Sequence, residues 1–256
     1  MSAKDIGGRQ RVEIRVKRFD PESRTFVYRV YTPEVDRYTT LLDALIRIKE
    51  TEDATLSVRY SCRMSICGSC AMVLNGRPTL ACETNLLSKG TDRFEVGPME
   101  AFPQLRDLVT KFDEFFEKHS TVEPWLIRRD LEEKFAALKE YVQTDSEVDY
   151  YLDFANCIKC GLCVDACPVS NTNPSFIGPQ ALAQAYRYNS DSRDEGEKER
   201  LLKLDTLEGA WGCEFAGACS VVCPKGVDPA LAIQLLKLDI MKSRLGMRQN
   251  KAKRAK

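Results

Sequence analysis

The run CIKCGLCVDACP, Cys157 to Pro168, constrains this chain more than any other segment. Its cysteines are spaced C-x2-C-x2-C-x3-C and followed by proline, an arrangement used for iron–sulfur cluster ligands. A degenerate copy, CEFAGACSVVCP, extends from Cys213 to Pro224. Laid over the first run, its cysteines fall at Cys213, Cys219 and Cys223, and Ala216 stands where the second cysteine belongs. The absent thiolate points to a cluster one iron short, and so to an electron path rather than a generic metal site.

The chain contains 11 cysteines in 256 residues, an odd number that speaks against a closed disulfide framework. The N-terminal MSAKDIGGRQ lacks the apolar stretch of a secretory signal, which argues for a reducing compartment. Clustered cysteines in such a compartment are metal ligands or catalysts. The single histidine, His119, is remote in sequence from every cysteine. Cys/His zinc fingers and Rieske-type clusters, which need imidazoles, are thereby excluded. Lys+Arg and Asp+Glu are equal at 38 each, so there is no basic excess to attract nucleic acid. No apolar stretch approaches the roughly 20 residues that span a bilayer, and work at a membrane would need a partner to hold the chain there.

Texture divides the chain. Arg11–Phe19 and Thr25–Thr32 alternate apolar and polar residues around a PES turn, which predicts a hairpin. Leu42, Ala44, Leu45 and Ile48 then fall at helical spacing behind Thr40 as N-cap, with Asp43 three residues on. AMVL and PTLA flank Asn75-Gly76, a two-residue hairpin turn. Strand, strand, helix, cysteine loop and hairpin is the order of a β-grasp domain. Leu108, Phe112, Phe115 and Phe116 predict an amphipathic helix over Asp107–His119, and Leu131–Gln143 a charged helical connector. Helices are expected to start at Pro179 and, capped by Asp228, at Pro229. The stretch Ser190–Arg200 looks like a polar surface segment and KAKRAK like a solvated basic tail.

YSCRMSICGSC presents Cys62, Cys67 and Cys70 at the C-x4-C-x2-C spacing of plant-type 2Fe–2S ferredoxins, with Cys82 as the fourth thiolate after the hairpin. Gly68 and the small Ser61, Ser65 and Ser69 would let main-chain N–H groups approach the sulfurs, and Arg59 and Arg63 would offset negative charge. A structural zinc site also takes four thiolates, but it typically uses two short cysteine pairs rather than three cysteines on one loop. In two-cluster ferredoxins the fourth cysteine of each run ligates the other run's cluster. That rule assigns Cys157, Cys160, Cys163 and Cys223 to a 4Fe–4S cluster. It assigns Cys167, Cys213 and Cys219 to a 3Fe–4S cluster with its vacant corner at Ala216. A labile 4Fe–4S cluster with an open iron is the alternative for the third site, although no general bases around a substrate pocket accompany it.

With these ligand sets, and with SCRMSICGSCAMVLNGRPTLAC, CIKCGLCVDACP, NPSFIGPQALAQAYRYNSDSRD and CSVVCPKGVDP, the chain closely resembles the iron–sulfur subunits of succinate dehydrogenase and fumarate reductase over nearly its whole length. The resemblance implies an α+β protein. It would have a plant-type ferredoxin β-grasp domain over 1–105, a helical connector over 106–146 and an all-α bacterial two-cluster ferredoxin domain over 147–256. It implies a flavoprotein partner with covalent FAD, one or more membrane anchor subunits and a quinone. The chain would lie peripherally on the cytoplasmic face of the membrane, with no transmembrane segment or signal peptide of its own. Its function would be to pass electrons from flavin through 2Fe–2S, 4Fe–4S and 3Fe–4S clusters to quinone in a succinate dehydrogenase, or the reverse in a fumarate reductase. Glu214 stands where ubiquinone-reducing members commonly have histidine, and their tryptophan after the first Cys-Pro is replaced by Asn171 and Thr172. Gln234 and Lys237 match residues that approach menaquinone in fumarate reductases. The resemblance thus favours menaquinone, with Pro168, Glu214, Phe215, Gln234 and Lys237 around it. The two competing readings are an electron module of another flavoenzyme or hydrogenase-like complex, and a thiolate–zinc interaction protein.

Overall fold

The computed structural model describes residues 8–130, 135–136 and 140–247, and the chain divides into two compact units. One unit comprises Met1–Phe112 with Cys160–Asp165; the other comprises Asp113–Lys159 with Ala166–Lys256.

The first unit carries strands β1 (Gln10–Arg11), β2 (Glu13–Asp20), β3 (Thr25–Tyr31), β4 (Glu34–Val35), β5 (Ala71–Leu74), β6 (Arg77–Leu80), β7 (Arg93–Gly97), β8 (Gln104–Arg106) and β9 (Val109–Thr110). Five of them form a sheet in the order β3-β2-β7-β5-β6, in which β2 and β7 run parallel and the other pairs antiparallel. Parallel neighbours require a crossover, and the intervening chain contains helix α1 (Leu41–Thr51). This is the expected β-grasp order. Thr40 and Asp43 close a reciprocal capping box at the start of α1, and the helix buries Leu41, Leu42, Leu45 and Ile48. Main-chain bonds from Leu41 N to Thr84 O (2.8 Å) and from Leu42 N to Ala81 O (3.1 Å) tie its first turn to the segment that carries Cys82. Asn75 and Gly76 both have positive φ, 49° and 75°, which fits the Asn-Gly hairpin.

The alternation of β2 buries Ile14, Val16 and, on the same face, Arg18. Arg18 is tolerated there because Asp107 accepts its Nε at 2.9 Å and its Nη2 at 3.0 Å, while Asp53 accepts Nη1 at 2.7 Å. Burial opposes the charge on Arg18, but the hydrogen bonds and charge of Asp107 outweigh it and hold the guanidinium above its usual pKa. Asp107 also corrects the helix expected over Asp107–His119. It adopts a left-handed φ of 48° between β8 and β9, so Leu108 and Val109 lie in a hairpin and helix α2 begins only at Asp113 (Asp113–Thr121). A carboxylate fixed to Arg18 and to Ser57 N (2.7 Å) leaves that backbone unable to join the helix.

Among its described residues the second unit has helices joined by irregular segments, and no strand. Its longest helices, Pro179–Asn189 and Pro229–Arg244, begin as expected with proline in the first turn, where no amide donor is lost. Asp228 caps the latter through Leu231 N at 3.0 Å. Around them a core forms from Leu182, Ala185, Tyr186, Leu201, Leu204, Ala232, Ile233, Leu236 and Ile240. The connector expected over Leu131–Gln143 falls largely outside the described residues, and KAKRAK does so entirely.

Ser190–Arg200 is not the surface segment its polarity suggests. Arg200 and Asp194 form an ion pair at 2.7 Å whose side chains are both fully buried. Arg200 also donates to the carbonyls of Val122 (3.1 Å) and Trp125 (2.8 Å) and to Asn189 Oδ1 (3.2 Å). Asp194 accepts from Ile127 N at 2.9 Å and Gly196 N at 2.8 Å. The pair therefore staples the extended stretch after α2 to the helical core. Asp194→Ala, which leaves a buried guanidinium uncompensated, is expected to cost about 3–5 kcal/mol. Replacing both partners together (Asp194→Leu with Arg200→Met) is expected to cost less than the single change, as read from urea denaturation curves.

Candidate metal centres

Cys62, Cys67, Cys70 and Cys82 converge in the first unit. Cys62, Cys67 and the intervening residues form a loop after α1, Cys70 directly precedes β5, and Cys82 follows β6, whose pairing returns it to Cys70 (Ala81 N to Cys70 O, 3.1 Å). Left-handed φ values at Arg63 (57°), Ser65 (60°) and Gly68 (72°) turn successive main-chain amides inward. Ile66 N and Cys67 N both lie 3.3 Å from Cys62 Sγ. Ser65 N lies 3.2 Å from Cys82 Sγ and Cys82 N 3.4 Å from Cys70 Sγ. Such a nest of N–H dipoles stabilises negative sulfur and suits a cluster held by thiolates. Burial opposes ionisation of Cys67, but the Ser69 hydroxyl and the amides of Cys62 and Ser69 overcome it and bring the thiol down to about 6. Burial, with the neighbouring Cys82 and Cys67 sulfurs, pushes Cys70 up to about 12. Arg59 and Arg63 stand over aromatic rings, those of Phe112 and Tyr60, at 5.8 and 5.1 Å.

The two ferredoxin-like runs repeat in backbone as well as in sequence. In the first, Lys159 and Gly161 have φ of 55° and 83°; in the second, Phe215 and Gly217, at matching places, have 58° and 74°. One-turn helices follow at corresponding positions, Leu162–Asp165 and Ala218–Val221. Ala216 thus sits in the backbone frame that carries Cys160 in the other run. Cys167, Cys213 and Cys219 line one cavity, and Ala216, Pro168, Glu214 and Phe215 share its wall. Burial, then the Cys167 and Cys213 sulfurs, push the Cys219 thiol up to about 11. Gln234 and Lys237 do not line this cavity. Gln234 Nε2 reaches Cys213 Sγ at 3.8 Å, and Lys237 Nζ donates to Cys213 O at 2.7 Å, so Lys237 braces the first cysteine of the run. Phe215 is 60% exposed at the mouth.

Cys157 and Cys223 belong to the second unit, where both pack against its hydrophobic core. Burial raises the Cys157 thiol, and the Cys223 sulfur adds to the shift. Val227 N lies 3.4 Å from Cys223 Sγ. Cys160 and the buried Cys163 belong to the first unit. There Gly161 fits against the rings of Phe102 and Phe112 so closely that a Cβ would stand 2.8 Å from Phe102 Cζ. Among the described residues, no group of three or more His, Cys, Asp or Glu side chains forms a ready site for a single metal ion.

Two buried residues of this region escape sequence reasoning. His119 Nδ1 lies 3.2 Å from Gln180 Nε2, and Gln180 Nε2 lies 3.9 Å from Cys157 Sγ. Burial, with the Lys159 ammonium, brings the His119 imidazole down to about 4. A lone histidine 38 positions before Cys157 gives no linear signal; only the meeting of α2 with the Pro179 helix reveals it.

The description "2Fe-2S iron-sulfur cluster binding domain" matches residues 13–117, and "4Fe-4S dicluster domain" matches residues 153–227. A fumarate reductase iron-sulfur subunit of Mycobacterium tuberculosis is 45% identical over 229 residues, covering 89% of this chain and 92% of the relative. An Escherichia coli fumarate reductase iron-sulfur subunit is 44% identical over 232 residues, covering 90% and 93%. The chain belongs to the iron–sulfur subunits of the succinate dehydrogenase/fumarate reductase family. A chain of the Mycobacterium smegmatis Sdh1 complex in its apo form superposes with a TM-score of 0.82 at 26% identity, covering 93% of this chain and 98% of that one. As a member of this family the chain is an electron-transfer component of an oxidoreductase complex, with 2Fe–2S and 4Fe–4S ferredoxin domains.

The backbone repeat yields a graded test. Gly217→Ala meets no neighbour within 4 Å and carries only the left-handed strain, about 1–2 kcal/mol. Gly161→Ala adds the collision with Phe102 and is expected to cost about 1–3 kcal/mol more. Thermal denaturation of the two variants should separate them by several degrees, with Gly161→Ala the less stable.

Proposed function

We propose that this subunit carries electrons between the FAD of a flavoprotein partner and a quinone at a membrane anchor, through 2Fe–2S, 4Fe–4S and 3Fe–4S clusters. The observation that carries this reading is the cavity at Cys167, Cys213 and Cys219. Three cysteines line it, and Ala216 occupies the backbone position that presents Cys160 in the parent run. Three ligands and a methyl group suit a 3Fe–4S cluster. Cys62, Cys67, Cys70 and Cys82 are the proposed 2Fe–2S ligands, and Cys157, Cys160, Cys163 and Cys223 the 4Fe–4S ligands. When bound, the clusters supply one-electron carriers whose potentials depend on charge, hydrogen bonds to sulfur and burial. The chain's residues hold the sulfurs apart from water, meet them with main-chain amides and fix their spacing.

Pro168, Glu214 and Phe215, on the wall of that cavity, are proposed as quinone contacts, with Gln234 and Lys237 acting from the following helix. Menaquinone is favoured because Glu214 takes the place of the histidine common in ubiquinone-reducing members. The same wire serves succinate oxidation within the tricarboxylic acid cycle and, run backwards, fumarate reduction. No helix among the described residues is long and apolar enough to cross a membrane. Anchor subunits would therefore hold the chain peripherally, on the cytoplasmic face.

Ala216→Cys provides the test. A fourth thiolate should convert the third cluster toward 4Fe–4S, lower its potential through the added negative charge and slow quinone turnover. Loss of the oxidised-state 3Fe–4S EPR signal is the expected result; an unchanged signal and potential would place residue 216 away from the vacant corner. Purification of the native complex should yield a flavoprotein partner and bound menaquinone, identified by solvent extraction and chromatography.

A further inference from the structure

We propose that Gln180, oriented by His119, is a positioning residue that donates an amide hydrogen bond to Cys157 and thereby raises the potential of the cluster this cysteine holds. The inference rests on the proposed 4Fe–4S ligation of Cys157. It concerns residues of the second unit alone.

Gln180 is only 2% exposed, in the first turn of the Pro179 helix. A buried primary amide has two N–H donors, and both have acceptors here: His119 Nδ1 at 3.2 Å and Cys157 Sγ at 3.9 Å. Its oxygen Oε1 has no partner among the described residues. Buried polar atoms are ordinarily paired, so an amide that leaves its oxygen unmet is held by its nitrogen. The opposite flip would turn oxygen lone pairs toward the Cys157 sulfur and leave two donors unmet. With His119, itself 8% exposed, as the Nε2–H tautomer, its Nδ1 accepts from Gln180 Nε2 and sets the amide's orientation. The histidine thus acts on the sulfur through Gln180, without touching it.

A donor pointed at a ligating sulfur favours the state with more negative charge. Uptake of one electron makes and breaks no bond, so the effect appears directly in the midpoint potential. Loss of the donor lowers it.

The test is an EPR-monitored redox titration of the purified complex. Gln180→Leu is expected to reduce the equilibrium constant for one-electron uptake by the 4Fe–4S cluster about tenfold, a fall of ~59 mV for a one-electron couple. The 2Fe–2S and 3Fe–4S midpoints should stay in place. Gln180→Met, which keeps length but has no N–H, should behave alike, and His119→Leu should shift the same midpoint in the same direction by less. In the double variant, His119→Leu should add nothing to Gln180→Leu, since the histidine works only through the amide. An unmoved 4Fe–4S midpoint in correctly assembled variants, additive shifts, or equal shifts in all three clusters would each overturn the proposal. Should neither Gln180 variant assemble, His119→Leu alone decides by the same criterion. A wild-type complex without any 4Fe–4S signal would instead overturn the ligand assignment beneath it.

Discussion

Negative sulfur must be met by N–H dipoles, and much of the local architecture follows from that requirement. A main chain in regular helix or strand has already committed its amides to carbonyls. To aim several at one cysteine it must leave the regular regions of φ/ψ space. That accounts for the left-handed residues at Arg63, Ser65 and Gly68 in the first loop; Lys159, Gly161, Phe215 and Gly217 in the two later runs share the left-handed conformation. Side chains at Arg63 and Ser65 tolerate a conformation that L-residues rarely adopt, a local strain offset by the bonds it permits.

The same logic explains which charges are buried. Arg18 and Arg200 lie deep in their respective units, each saturated by carboxylates and carbonyls rather than placed beside a cysteine. Arg18 locks the β8–β9 turn to the sheet through Asp107, and Arg200 locks the stretch after α2 to the helical core through Asp194 and three main-chain carbonyls. These clamps hold irregular chain, which lacks its own ladder of hydrogen bonds, in a fixed path within the same unit.

Much of this was legible in linear form. Hydrophobic alternation marked β2 and β3, Asn75-Gly76 marked a hairpin, and Thr40 and Asp228 marked helix starts, because each signal depends on neighbours within a few residues. The cysteine runs were legible for the same reason: thiolates on one turn of chain must have fixed spacing to share a centre. The readings that changed depended on distant partners. Asp107 broke a helical pattern by pairing with Arg18, 89 residues away, and Asp194 and Arg200 turned a polar stretch into buried structure. Lys237, whose spacing alone gives no partner, donates to the Cys213 carbonyl 24 residues away.

The sequence by itself determined the family, the α+β division and the frame of two cysteine runs in which Ala216 replaces a thiolate. Those properties reside in local spacing, which survives without coordinates. Only the tertiary structure decided that Cys82 returns to Cys70, that Ala216 shares a cavity wall with Cys167, Cys213 and Cys219, and that Gln180 and His119 stand in line with Cys157. Hydrogen bonds and burial act over a few ångströms of space, and the residues they join here lie tens of positions apart along the chain.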